Sequence, residues 1–180
     1  MGQWRNWQSA AIPSSPIGDL LELGSGPGHL LAALPQAEHR NVGLEQSTQM
    51  LKLAQRNLAQ SGVAPMLTQG RAQALPFQSN HFSDIIATFP SEYIVDPATL
   101  AEAFRVLQPR GELVIVGLVQ ITGDSQADRF AAWLYRFTGQ AGEPRDEWKI
   151  PLQEAGFHPR FKIIEQERAR VLRVVGLKPE

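Results

Sequence analysis

The sequence contains no cysteine. Disulfides, thiolate catalysis, iron–sulfur clusters and cysteine-bound zinc are therefore excluded. It has no excess of either charge, since 17 basic against 18 acidic residues leave a formal net charge of −1. That excludes binding to nucleic acid or to a membrane surface through bulk charge. No apolar run reaches the ~18 residues that a transmembrane helix needs. Met1 to Trp7 is polar and aromatic and does not resemble a signal peptide, so the expected setting is reducing and cytoplasmic. Internal repeats and low-complexity segments are missing too. What remains is an ordinary globular composition, 43% hydrophobic over 180 residues. A chain of this size can bury roughly 70% of the surface it exposes when unfolded. It reads as one domain over 1–180, with 1–16 as a short N-terminal helical segment.

Short apolar runs alternate with helical patterns, which predicts an α/β domain with a mainly parallel sheet. The first strand is Asp19 to Leu23, and a short helix carrying Leu30, Leu31 and Leu34 follows it. Asn41 to Leu44 is a second strand. Ser47 or Thr48 then caps a helix with Met50, Leu51, Ala54 and Leu58 on one face, and Gly62 lies just past its end. Met66 to Thr68 and Asp84 to Thr88 read as the third and fourth strands. Asp96-Pro97 opens a helix, and Pro109-Arg110-Gly111 reads as a turn into Leu113–Val116. Ser125 to Phe137 reads as a helix, as does a shorter stretch near Leu152. Phe161 to Ile164 and Val171 to Leu177 are too close for a helical crossover, so they should pair antiparallel.

Chemistry concentrates at Glu22-Leu23-Gly24-Ser25-Gly26-Pro27-Gly28, where a strand ends and a helix begins. Glycine permits positive φ and lets a ligand approach the backbone, and free N–H groups at the helix start attract an anion. A plain βα turn that needs glycines gives the same motif. Glu45 adds a second feature: it follows the second strand, where a doubly wound sheet brings a carboxylate beside the glycine loop to accept ribose hydroxyls. A helix N-terminal acid favoured by the macrodipole is the alternative reading of Glu45. The dinucleotide fingerprint G-x-G-x-x-G/A fails at its third glycine, where His29 stands. Glu22 is also ill suited to a pyrophosphate and better suited to a cationic amino group. The pattern matches S-adenosylmethionine better than a dinucleotide.

Several further segments follow in order: Val42-Gly43-Leu44-Glu45-Gln46-Ser47, then Gly70-Arg71-Ala72-Gln73-Ala74-Leu75-Pro76-Phe77, then Phe82-Ser83-Asp84-Ile85-Ile86. Phe104-Arg105-Val106-Leu107-Gln108-Pro109-Arg110-Gly111 and Glu154-Ala155-Gly156-Phe157 complete the series. Together with Leu21–Leu30 they resemble the class I S-adenosylmethionine-dependent methyltransferases, of the small-molecule type that includes quinone-biosynthesis C-methyltransferases. The resemblance implies a Rossmann-like seven-stranded sheet of order 3-2-1-4-5-7-6, with strand 7 antiparallel and helices on both faces. It implies that Glu22, Gly24, Ser25, Gly26 and Gly28 surround the methionine part and that Glu45 holds the ribose. Gln46, Ala72 and Gln73 should lie by the adenine, and Thr88 and Phe89 should line the methyl-donor end.

Three departures from the family stand out. Arg71 occupies a place where relatives often have an acid that accepts from the adenine amino group, and arginine cannot accept. Arg110 replaces the first of a usual glycine pair, read as a local change of turn. The segment before strand one is short beside the helical substrate cover of relatives, and Trp4, Trp7 and Ala11, on one helical face, read either as its remnant or as ordinary packing.

Methyl transfer needs alignment and exclusion of water before anything else. His29, His39, His81 and His158 show no ligand spacing, so no metal site is expected. Glu92 and Tyr93, after strand four, are the candidates for a base or an orienting group, with ordinary loop residues as the alternative. Phe89-Pro90-Ser91-Glu92-Tyr93 does not read as Asn/Asp-Pro-Pro-Tyr, which disfavours methylation of DNA bases. Phe130, Trp133, Leu134 and Phe137 recur at helical spacing, as core or as the wall of an apolar acceptor pocket. The expected partner is thus a small-molecule acceptor, apolar or aromatic, with the chain a monomer or homodimer. A non-catalytic partner-binding module of the same fold and an NAD-dependent oxidoreductase stay open as alternatives.

Overall fold

A computed structural model describes residues 11–12, 18–35, 40–64, 66–121, 149–166 and 169–180. Trp4, Trp7, His39, the expected helix from Ser125 to Phe137 and its aromatic stripe lie outside the described residues.

Seven strands form one sheet in the order β3-β2-β1-β4-β5-β7-β6. They are β1 (Leu20–Leu23), β2 (Asn41–Glu45), β3 (Leu67–Gln69), β4 (Phe82–Thr88), β5 (Leu107–Ile121), β6 (His158–Gln166) and β7 (Ala169–Leu177). The first five run parallel, and β7 pairs antiparallel with both β5 and β6. This is the expected Rossmann-like order. After β3 the chain returns to the far side of β1, so the strand order reverses between β1 and β4. A crevice opens outside the carboxyl ends of the strands at such a point.

Among the described residues the helices are α1 (His29–Ala33), α2 (Thr48–Gln60), α3 (Pro97–Val106) and α4 (Ile150–Glu154), with a 3-10 turn at Glu92–Val95. The caps follow the sequence signals. Ser47 Oγ accepts from the Met50 amide at 3.3 Å, and Asp96 Oδ1 accepts from the Ala98 amide at 2.9 Å with Pro97 in the first turn. Each face of the sheet carries its own apolar layer. Leu20, Ile86, Val114 and Val116 pack with Leu30, Leu31 and Leu58 on one side. Leu21, Leu23, Ile85 and Leu113 pack with Leu100, Ala103, Leu152 and Phe157 on the other. Strands buried on both faces explain the unbroken apolar runs.

The stretch Pro109-Arg110-Gly111 corrects the sequence reading. It is a kink inside β5, which pairs with β4 from Leu107 onward with a register shift opposite Phe82/Asp84. Arg110 takes φ 67° there, and a Cβ at Gly111 would stand 2.7 Å from the Ser83 carbonyl oxygen. The Arg110 amide donates to the Lys178 carbonyl and the Lys178 amide to the Gly111 carbonyl, so the bulge keeps its bonds on the β7 side, while toward β4 the ladder passes from Leu107 to Glu112.

Lys178 ties the end of β7 to this region. Its Nζ donates to Asn80 Oδ1 and to the carbonyls of Phe104 and Leu107, at 2.7–2.8 Å. A buried ammonium thus satisfies carbonyls at the end of α3, where the helix dipole favours a cation.

Candidate functional site

The four turns that leave β1 to β4 at their carboxyl ends converge on one cavity of about 470 Å³. Gly24 follows β1. Leu44, Glu45 and Gln46 close β2, and Gly70, Arg71, Ala72 and Gln73 follow β3. Thr88, Phe89, Pro90, Ser91 and Tyr93 follow β4. The volume lies within the range of small-molecule sites.

The glycine turn is built for backbone exposure. Gly24 has φ 69° and is exposed, and Gly26 has φ 52°. Its anchor is Glu45, whose Oε2 accepts from the Gly26 amide at 2.9 Å and whose Oε1 accepts from the Ser47 amide at 2.8 Å. Two backbone donors fix the carboxylate in one orientation on the cavity wall. Each oxygen keeps a further lone pair for a ligand hydroxyl. The same carboxylate thus touches both the start of α2 and the glycine turn.

Gly26 is half-buried and, like the remaining members of the glycine motif, does not line the cavity. Gly28, with φ 76°, precedes α1, and a Cβ there would stand 3.2 Å from Ala54 Cβ. Its bareness serves the packing of α2. Ser25 and Glu22 are buried beneath the turn and do not line the cavity, and Ser25 Oγ and Glu22 Oε2 have no hydrogen-bond partner. Glu22 is only 1% exposed. Burial, reinforced by the charge of Glu45, pushes its pKa well above the usual carboxylate range, against a backbone hydrogen bond from Leu31.

The loop after β3 is pinned from below. Arg105 donates to the carbonyls of Phe77 and Leu75, and Glu102 Oε2 accepts from the Leu75 amide. The pair Arg105–Glu102 on α3 thus fixes the wall that carries Ala72 and Gln73. Ala72 is buried, and Gln73 Nε2 donates to Asp96 Oδ2 at 3.1 Å. That bond commits the Gln73 amide nitrogen to the cap of α3. Arg71 is exposed on the rim.

Phe89 closes β4 with φ 49°, an uncommon conformation for a residue with a side chain. Local strain of this kind gathers at binding sites. Tyr93, on the 3-10 turn, donates its hydroxyl to the Leu23 carbonyl at 3.2 Å. Burial, then the charges of Glu45 and Glu22, hold its pKa above the usual phenol value. A hydroxyl that keeps its proton is a donor here and does not serve as a base. Glu92 is exposed and lies off the cavity wall. Sequence reasoning passed over Leu44, Gly70, Pro90 and Ser91 as wall residues. Their place at the ends of strands beside the switch point was the available signal. No group of His, Asp or Glu able to hold a metal occurs among the described residues, and no helix there is long and apolar enough to cross a membrane.

The profile of the methyltransferase-domain family matches residues 20–111, which span the sheet from β1 to the kink in β5. The demethylmenaquinone methyltransferase of Lactiplantibacillus plantarum is 37% identical over 117 residues, 62% of this chain and 49% of that protein. A ubiquinone/menaquinone biosynthesis C-methyltransferase of Shewanella piezotolerans is 25% identical over 173 residues, 91% of this chain and 69% of that protein. The chain thus spans about half the length of the first of these relatives. In fold it is similar to the geranyl diphosphate C-methyltransferase of Streptomyces coelicolor, solved with S-adenosyl-L-homocysteine. The TM-score is 0.69 at 11% identity, covering 98% of this chain and 78% of that one.

Proposed function

Because this chain belongs to the methyltransferase-domain family and resembles the quinone-biosynthesis C-methyltransferases, we propose that it transfers a methyl group from S-adenosylmethionine to a small-molecule acceptor by in-line displacement. The observation that carries this reading is the Glu45 carboxylate, held on the cavity wall by the Gly26 and Ser47 amides.

The residues around the cavity fit the donor. Glu45 accepts from the two ribose hydroxyls through the lone pairs its backbone donors leave. Gln46 and the backbone of Ala72 and Gln73 flank the adenine. Gly24 offers bare backbone to the methionine arm, and Glu22 and Ser25 bring buried oxygen atoms without partners beneath it. Thr88 and Phe89 line the end where the acceptor arrives.

S-adenosylmethionine, when bound, supplies a methyl group already activated by its sulfonium. The chain's own residues contribute alignment and exclusion of water. No base is assigned for an acceptor that must lose a proton: burial favours a neutral Tyr93 hydroxyl, and Glu92 lies off the cavity wall. The names of the relatives support a quinone-like, apolar acceptor. This reading takes 1–180 as one methyltransferase domain acting in the cytoplasm. Titration calorimetry with S-adenosylhomocysteine, followed by transfer of labelled methyl to a panel of quinols, tests it. Saturable binding with turnover is expected. No heat at millimolar ligand overturns the donor assignment, and binding without turnover on any acceptor favours a non-catalytic module.

A further inference from the structure

The Tyr93 hydroxyl rests against the bare backbone of the glycine turn at Gly24. A Cβ placed on Gly24 would stand 2.7 Å from the Tyr93 hydroxyl oxygen, so that oxygen rests directly on the bare face of the turn. Gly24 and Tyr93 both line the cavity. The hydroxyl donates to the Leu23 carbonyl at 3.2 Å, across 70 residues of sequence.

The acceptor the structure gives that hydroxyl is the Leu23 carbonyl. Near the Leu23 carbonyl stands the Glu45 carboxylate, whose charge acts on the phenol, with the buried Glu22 carboxyl beneath the turn. Glu22 Oε2 has no partner. One phenolic hydrogen serves one acceptor, whereas an ammonium brings three donors and a positive charge. The site is matched to a cation better than to the neutral group that fills it.

We propose that Tyr93 is a displaceable gate on the donor site: in the free protein its hydroxyl holds the place over Gly24 and the Leu23 carbonyl that a ligand's ammonium group takes on binding. The proposal rests on the donor reading above and adds a specificity-determining residue to it. A ligand that carries an ammonium replaces the hydroxyl and gains the acceptors around it. A nucleoside without an amino-acid arm leaves the gate closed. Part of the ammonium's gain goes to opening the gate, so removing the hydroxyl strengthens binding only for ligands that open it.

The test compares S-adenosylhomocysteine with 5′-methylthioadenosine, which lacks the amino-acid arm, by calorimetry on the full chain and on Tyr93→Phe. The variant should bind S-adenosylhomocysteine about three- to tenfold tighter, the equivalent of one neutral hydrogen bond. Its affinity for 5′-methylthioadenosine should not change. Weaker or unchanged binding of S-adenosylhomocysteine, or an equal shift for both ligands, overturns the gate. If the unaltered protein binds neither ligand, the donor reading fails first. A second measurement needs no variant at position 93. The chain has two tyrosines, and the ring-carbon resonance of Tyr93, assigned with Tyr135→Phe, should move with S-adenosylhomocysteine and stay with 5′-methylthioadenosine. A resonance that moves equally with both, or with neither, contradicts the gate.

Discussion

Glu45 Oε2 accepts a hydrogen bond from the Gly26 amide at 2.9 Å and so joins the turn after β1 to the end of β2. One carboxylate both shapes the glycine turn and stands on the cavity wall. Preorganisation of this kind lowers the cost of binding, because the side chain need not be ordered when the ligand arrives.

Glu45→Ala should weaken the binding of S-adenosylhomocysteine by at least about 1–3 kcal/mol, as expected for the loss of charge-assisted hydrogen bonds. The Gly26 amide loses its partner as well, so the melting temperature should fall. Calorimetry and thermal unfolding of the variant check both. Unchanged affinity refutes the ribose assignment.

Glu22 makes stability depend on pH in a defined direction. Its folded pKa is raised by burial and by the charge of Glu45. The folded state therefore binds its proton more tightly than the unfolded chain does. This contribution is complete below the ordinary glutamate pKa and is lost as pH rises through the folded value. Glu22→Gln should lack this contribution. Urea unfolding at pH 5 and pH 8 should show the variant gaining on the unaltered protein at the higher pH. Asp84 is shifted in the same direction, but its contribution cancels in the comparison.

Lys178→Met should destabilise the fold by about 2–4 kcal/mol, because the carbonyls of Phe104 and Leu107 and the Asn80 side chain lose a buried charged donor. Denaturant unfolding measures it. A change below about 0.5 kcal/mol, the range of ordinary surface substitutions, contradicts the capping role.

The neighbours Arg110 and Gly111 should respond in opposite ways. Arg110 holds φ 67°, where glycine is at ease, and its contact with Glu180 is exposed and worth little. Arg110→Gly should stabilise by about 0.5–1 kcal/mol, the relief of backbone strain less the entropy glycine loses on folding. Gly111→Ala should destabilise by about 1–3 kcal/mol, since its Cβ meets the Ser83 carbonyl oxygen at 2.7 Å. Equal effects at the two positions contradict the bulge geometry.

Local signals in the sequence were reliable where local physics decides. Ser47 and Asp96 cap their helices as residue type and spacing predict, and Glu45 lies where a doubly wound sheet brings it. Contacts made only by the fold were not legible. Tyr93 meets Leu23 across 70 residues, and nothing near position 93 encodes the partner. Lys178 carries no signal of its own in the sequence yet closes α3. Gly28 and Gly24 look alike in the motif, and only the approach of Ala54 to Gly28 separates a packing glycine from a site glycine. Pro109-Arg110-Gly111 has the composition of a turn, but backbone bonds to Lys178 hold it against the sheet.

A crystal structure of the chain soaked with S-adenosylhomocysteine bears most directly on the site. The ribose hydroxyls should lie within hydrogen-bonding distance of the Glu45 carboxylate, with the adenine against Ala72 and the amino-acid arm over Gly24. A nucleoside bound elsewhere, or the Glu45 side chain turned away from the sugar, would contradict the account.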